Sequence, residues 1–383
     1  RGRYSMRSRR SFVTLGAAGL VSSCAAARGF SGGLMRDLGV TEHGSQAGVR
    51  LAPVLIEEDR IIRIDVGLRP FRPSGFRVER EAFGDKVLVH NYGHGGGGIT
   101  LSWGTAKLAV DLGWDAAKPD CAVLGCGAVG LATTRLLQER GARVRIYARD
   151  LPPNTTSNVA GAQWWPASVY DNDRATPAFI AQHTEAARYA FRRYQSFVGG
   201  GYGVGWEPNY TFADRPITTY PARDGDPMQE FVVNQVDLAP HEHNFPRAFA
   251  RRFDTMMIET PLYLRRIEED VRRAGAEIVV RTFESSAQVQ TVPEQIVFNC
   301  TGLGAGALFG DGEIMPVRGQ LAILLPQPEV NYNTIAREGY MFGRADGIVL
   351  GGTFERGEWS LTPDPADIAG ILDGHSSIFG AMR

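Results

Sequence analysis

The stretch from Cys121 to Asp150, "CAVLGCGAVGLATTRLLQERGARVRIYARD", constrains the fold more than any other part of the chain. A short apolar run leads into glycines at 125, 127 and 130. A helical apolar period follows from about Val129 to Arg140, then a break at Gly141 and a second apolar run, "RVRIYA". This is a strand-helix-strand unit with G-x-G-x-x-G at its first turn, and it predicts a doubly wound parallel sheet. Gly125 permits the tight turn, Gly127 lets a pyrophosphate approach the backbone, and Gly130 lets helix pack on strand. The helix N-terminus then offers free N–H groups and a partial positive charge to phosphate. A carboxylate at the end of the second strand accepts hydrogen bonds from an adenosine ribose, and Asp150 is the candidate. For Arg149, just before it, three roles stay open: lying over adenine, reaching a phosphate, or marking a 2'-phosphate. Flavin and nicotinamide dinucleotides both satisfy the pattern.

A chain of 383 residues with 43% apolar residues can bury a large core and suggests two domains more readily than one. Lysine plus arginine number 41 against 42 acidic residues, so the chain lacks the positive field that nucleic acid or an anionic membrane surface requires. Near the start, "MRSRRSFVTLGAAGLVSSCAAARG" sets Arg9 and Arg10 ahead of an apolar run and small residues, the layout of an export signal. It resembles a twin-arginine leader, which points to export, to a periplasmic location and to Met6 as the start. Cys24 follows "LVSS", a poor match to a lipoprotein cleavage box. Outside this leader no run approaches the roughly 18 apolar residues of a membrane span. Residues 28–50 read as a flexible connector.

Three strands are expected at "IIRIDVGL", "FRVER" and "KVLVH", with the Pro-rich "RPFRPSG" separating the first two. "TAKLAVDLGW" has helical spacing, "DAAKPD" is a polar joint, and Thr176 to Phe197 forms a long amphipathic helix. "TPLYLRRIEEDVRRAG" is a helix capped by Thr260, with Pro261 in its first turn and Gly275 past its end. "AEIVVRTF", "QIVFNCTG", "QLAILL", "GYMFGR" and "GIVLGGTF" read as five further strands. Cys121, Cys126 and Cys300 sit in apolar or glycine-rich strand ends and are expected as buried thiols, not disulfides or metal ligands. His90 and His94 stand four apart, but a glycine loop supplies no helix to align them and no third ligand completes a metal set.

These residues resemble the D-amino-acid oxidase family of flavoenzymes. "YARDLPPNTTSNVAGAQWWP" is similar to the segment after the family's second strand. By resemblance, Thr155, Thr156 and Ser157 would face the FAD pyrophosphate, while Gly161, Ala162, Gln163 and Trp164 would run under the flavin. "IVFNCTGLGAGAL" resembles the turn that touches the cofactor from the other side through Cys300, Thr301 and Gly302, and "RTFES" a strand whose Phe283 offers backbone contacts near the adenosine half. "HNYGHGGGGITLSWG" would place Gly95, Gly96, Gly98, Ile99 and Thr100 at the flavin's pyrimidine end. "GLRPFRP" supplies Arg69 as the partner of the substrate carboxylate, and "GYMFGRADGIVLGGTFERGEWS" supplies Tyr340 as a substrate tyrosine. Many members carry a second tyrosine where this chain has Ala336, and an aromatic residue where it has Gly97; both changes imply a more open pocket. Arg337 and Arg344, near Tyr340, are candidates for attracting an acidic side chain, or are solvent-facing.

The resemblance implies an α/β fold: a Rossmann-like FAD-binding sheet with a second, mainly antiparallel sheet that carries the substrate. The segments come in another order than in the family, because "GLRP" and "NYGHGG" precede the dinucleotide motif. This implies a circular permutation joined at "DAAKPD". The implied partition is 1–50 as leader and connector, 86–175 with 276–325 as the FAD domain, and 51–85 with 176–275 and 326–383 as the substrate domain. The implied activity is oxidation of D-amino acids by hydride transfer to FAD, with O2 or another acceptor taking the electrons. A related glycine, amine or D-aspartate oxidase, a dehydrogenase and a non-catalytic flavoprotein are the alternatives.

Overall fold

Strands that are apolar on both faces need cover on both, whereas strands that alternate need it on one. The chain contains both kinds. The computed structural model describes residues 48–223 and 225–383. The leader with Met6, Arg9, Arg10 and Cys24, and the connector up to residue 47, lie outside the described residues.

The elements begin with β1 (Ile61–Phe71), β2 (Arg77–Phe83), β3 (Lys86–Tyr92), α1 (Gly98–Gly113), β4 (Asp120–Leu124), α2 (Ala128–Glu139) and β5 (Arg143–Ala148). Then come α3 (Pro177–Gln195), β6 (Val204–Ala213), β7 (Val233–Leu238), β8 (Phe249–Ile258), α4 (Thr260–Arg273) and β9 (Glu277–Val280). The chain continues through α5 (Ser286–Gln290), β10 (Ile296–Asn299), α6 (Gly304–Phe309), β11 (Met315–Leu324) and β12 (Asn333–Ala336). It ends with β13 (Gly339–Arg344), β14 (Gly347–Gly351), β15 (Glu355–Arg356) and α7 (Pro365–Phe379).

The first sheet is six-stranded, in the order β2-β3-β10-β4-β5-β9. All neighbours from β3 to β9 are parallel, and β2 closes one edge antiparallel. In β4, Cys121 and Val123 join a cluster with Leu131 and Ala132 of α2 and Ile267 of α4. Ala122 and Leu124 turn to the other face, towards Val289 of α5 and Val297 of β10. Burial on both faces is why "CAVL" carries no polar alternation.

The second sheet has nine strands, in the order β1-β11-β14-β13-β12-β6-β8-β7 with β15 on β11. Its pairs are antiparallel except β12 with β6. Here the period is two. Ala322, Leu324, Met341, Ile348 and Leu350 pack against Ile368, Ile371, Ile378 and Phe379 of α7. The residues between them, Leu321, Ile323, Phe342 and Val349, face the opposite side with Met257. Among the described residues no helix is long and apolar enough to cross a membrane.

Several expectations change. β1 runs through Pro70 to Phe71, with Pro70 opposite Pro316, so the first three residues of "RPFRPSG" are strand. β2 joins the six-stranded sheet and β11 the nine-stranded one, which moves the sheet boundaries away from residues 85 and 325. β9 stops at Val280, and "RTFES" is not a strand. Thr260 is the first residue of α4, not its cap, because its hydroxyl donates to the carbonyls of Asn158 and Ala160 at 3.1 and 3.3 Å. α1 starts at Gly98, inside the glycine run. Its Gly104 lies so close to α3 that a Cβ there would stand 1.9 Å from the Ala186 carbonyl oxygen.

Gly104→Ala is therefore a contest. Alanine favours an isolated helix by about 1 kcal/mol, but the clash forces α1 and α3 apart, at about 1–3 kcal/mol or more. We expect a lower Tm in thermal melts; an unchanged or higher Tm would show that the two helices separate freely.

Candidate active site

The end of β4 and the end of β10 meet at the glycine turn. Gly125 has φ +104°, and a Cβ there would lie 2.5 Å from the carbonyl oxygen of Cys300. At Gly130 a Cβ would lie 2.1 Å from the Gly125 carbonyl oxygen, so α2 can begin this close to β4 only with glycine at both positions. Gly127 is more open: its nearest neighbour would be Ser157 Oγ at 3.0 Å, and that same hydroxyl accepts the Ala128 N–H at 3.0 Å. Ser157 thus stands at the α2 N-terminus, where a phosphate oxygen is attracted. Thr155 is buried and donates to Asn158 Oδ1, while Thr156 is exposed at the start of the next turn. Arg149 and Asp150 are both exposed past β5 and pair with each other at 2.7 Å.

Across the turn, Asn299 Oδ1 accepts both the backbone N–H and the hydroxyl of Thr301 at 3.1 and 2.7 Å. Gly302 has φ +57° and faces the Pro70 ring, which brings this turn next to β1. Burial pushes the Cys300 thiol up to about 12, so it is no thiolate. The Cys121 and Cys126 thiols are raised to about 12 in the same way. Phe283 lies beyond β9, with Arg281 over its ring at 4.4 Å and Tyr147 at its edge.

β1 carries Arg69 from this end to the face of the nine-stranded sheet. Its Nη1 donates to the carbonyls of Arg318 and Thr353 at 3.4 and 3.2 Å, and Gly319 leaves the space its guanidinium fills. Gly351 sits beneath the Tyr340 ring, which stacks on Phe342 with centroids 4.8 Å apart. Residues 271 apart in sequence thus border one strip, Gly351 to Thr353. Over this face runs the segment after Ser157. Gly161 packs against the rings of Phe342 and Tyr340, and Ala162 holds φ +66°. Gln163 bridges to Met257 and hydrogen-bonds Asn209 at 2.6 Å.

Three expected contacts change character. The Trp164 side chain is fully buried between Phe191 and Phe231, so only its backbone can border a cofactor. Ile99 and Thr100 also turn inward, and the Ile99 carbonyl accepts from Tyr194 Oη. Gly95 and Gly96 lie against the carbonyls of Ser168 and Ala167, so those glycines serve internal packing as well, whereas at Gly98 the nearest atom to a Cβ would be the His94 Cβ at 3.9 Å. Arg344 is nearly buried and committed to Asp346 and the Ala160 carbonyl. Arg337 is exposed at the β12–β13 turn. His94 is held to Thr105 Oγ1 at 2.8 Å, its pKa lowered to about 3 by burial, and His90 is tied to Asn299. Among the described residues no group of three or more potential metal ligands occurs.

Residues 4–112 and 120–382 match the profile of the DAO family, described as FAD dependent oxidoreductase. The chain belongs to that family. A DAO-family relative, the D-amino-acid oxidase of Rubrobacter xylanophilus, is 30% identical over 267 residues, covering 68% of this chain and 77% of its own length. Human D-aspartate oxidase is 30% identical over 264 residues, covering 66% and 73%. The fold is similar to that of glycine oxidase from Bacillus cereus, with TM-score 0.51 at 17% identity over 69% of this chain and 79% of that one.

FAD fits what the DAO-family chain presents: a close backbone turn from Gly125 to Gly130 with Gly127 as its more open point, a helix N-terminus behind it, and Gly98 at the start of α1, where a Cβ would meet nothing nearer than 3.9 Å. Glu207, Asn209, Asn333 and Thr353 were missed by sequence reasoning. Polar residues two apart in "WEPNYT" were the available signal, since they share one face of a strand.

Burial, opposed by the hydrogen bond from Asn333 and reinforced by Glu259, raises the Glu207 carboxyl to about 7. A carboxyl raised above its unfolded value favours the fold while protonated and loses that contribution as pH climbs from the unfolded value towards 7. We expect Glu207→Gln to leave the Tm unchanged below about pH 4 and to raise it near pH 8. Equal Tm at both pH values would contradict the raised carboxyl.

Proposed function

We propose that this chain oxidises D-amino acids at the face shared by Arg69 and Tyr340. The observation that carries the reading is the posture of Arg69. Two carbonyls fix its Nη1, and the remaining edge of a guanidinium is suited to hold a carboxylate through two parallel hydrogen bonds. Tyr340 then adds a hydroxyl beside the same strip. Positioning dominates such a reaction, because the substrate needs correct orientation more than acid-base assistance. FAD supplies the two-electron acceptor for the substrate Cα hydrogen. The amino acid loses a hydride and a proton to become an imino acid, which water converts to a 2-oxo acid and ammonia; O2 taking up the electrons yields H2O2. Gly98 and the α1 N-terminus offer partial positive charge to the cofactor's pyrimidine end.

The curated relatives named D-amino-acid and D-aspartate oxidase support this substrate class over the glycine oxidase whose fold is shared. A circularly permuted order belongs to the same proposal. It is supported by the split of the family match at residues 113–119, where α1 ends and a short turn held by Asp115 leads into β4.

Replacing Arg69 by Leu removes the carboxylate partner but none of the dinucleotide cradle. We expect kcat/KM for D-amino acids to fall about a hundredfold or more, with FAD content by absorbance unchanged. Retained turnover in Arg69→Leu would move the carboxylate site elsewhere.

A further inference from the structure

The sheet face beside Tyr340 carries a polar cluster that the proposed reaction does not use. Glu207 and Asn209 come from β6, Asn333 from β12, and Gln163 from the segment crossing above. Gln163 Nε2 donates to Asn209 Oδ1 at 2.6 Å, and Asn333 Nδ2 donates to Glu207 Oε2 at 3.0 Å. Asn333 Oδ1 accepts the Gly343 N–H, which pins that amide. Asn209 and Asn333 are fully buried, Gln163 nearly so, and Glu207 partly.

Strand register ties the cluster to the substrate face. Asn333 stands opposite Phe342 and beside Asn209, and Phe342 shares its face with Tyr340 two residues away. From Tyr340 the cluster begins one strand over and two residues along, steps of roughly 5 and 7 Å. The crossing segment follows the same path, since Gly161 rests on both rings and Gln163 reaches Asn209. A substrate whose carboxylate lies between Arg69 and Tyr340 has its side chain available on this side.

The chemistry is specific. Asn209 Nδ2 is buried and, among the described residues, has no hydrogen-bond partner. An orphaned buried donor costs about 1–3 kcal/mol, and such a group in a native fold calls for a ligand or water to complete it. Glu207 supplies an acceptor. No cation is free to neutralise an acidic side chain through Arg344, which Asp346 and the Ala160 carbonyl already hold. A carboxamide matches both needs: its oxygen accepts from Asn209 and its NH2 donates to Glu207.

We propose that Gln163, Glu207, Asn209 and Asn333 form the side-chain end of the substrate pocket and select D-amino acids ending in a carboxamide. This rests on the D-amino-acid reading of the site. The test is kcat/KM of the FAD-loaded full chain for D-glutamine, D-asparagine, D-glutamate, D-aspartate, D-leucine and D-alanine. D-Glutamine or D-asparagine is expected to exceed D-leucine and both acids by about tenfold or more. In Asn209→Leu the ratio of D-glutamine to D-leucine falls about tenfold. A wild-type preference for D-leucine or for the acids overturns the proposal whether or not the variant folds, and so does an unchanged ratio in a folded variant. Turnover of D-alanine without a carboxamide preference overturns this inference alone, whereas no turnover of any D-amino acid overturns the site reading and the inference together.

Discussion

The contact of the Gly125 turn with the Cys300 carbonyl is the constraint on which the rest depends. With any side chain at 125, the Cβ would stand 2.5 Å from that oxygen, and β4 and β10 could not end side by side. Their parallel pairing places two turns side by side at the C-terminal ends of these strands, one leading into α2 and the other into Gly302 beside Pro70. Pro70 belongs to β1 of the second sheet and stands next to Arg69. The glycine turn and Arg69, the proposed carboxylate partner, are thus joined by a strand rather than a loop, which fixes the span between them.

The second sheet does the corresponding work for the proposed substrate side. Arg69 and Tyr340 come from strands separated by β11 and β14, and their positions are set by register rather than by contact with each other. Thr353, whose carbonyl holds Arg69, is itself held by Glu355 at 2.6 Å, and Glu355 is ion-paired with the buried Arg318. Charged groups therefore brace the arginine without occupying its outer edge. The opposite face packs mostly apolar side chains against α7, with Gln320 bonded to Asp367 and His375 to the Tyr340 carbonyl.

The strand-helix-strand unit was legible because burial on both faces and glycine spacing leave a strong local pattern; α2 begins one residue before the expected Val129 and β5 coincides with "RVRIYA". Side-chain direction was not legible. Motif resemblance marks where the backbone runs, yet Trp164, Ile99 and Thr100 turn into the core because large or branched side chains there fill space between α1, α3 and β8. Thr260 looked like a cap because it precedes Pro261, but its hydroxyl is drawn to carbonyls from residues 158 and 160, a long-range choice invisible in local sequence. β12, four residues long, is too short to show a period. Glu207 and Asn209 fall in a stretch, residues 201–255, that mixes aromatic, proline and polar residues and reads only as sheet and loops, and their neighbours come from distant segments.

The most direct measurement is an anaerobic titration of the purified protein, followed through its visible flavin absorbance, with paired D- and L-amino acids. Bleaching by the D-isomers alone is expected if Arg69 and Tyr340 orient the substrate over the cofactor. Bleaching by L-isomers alone, or a flavin unchanged by either, would contradict it.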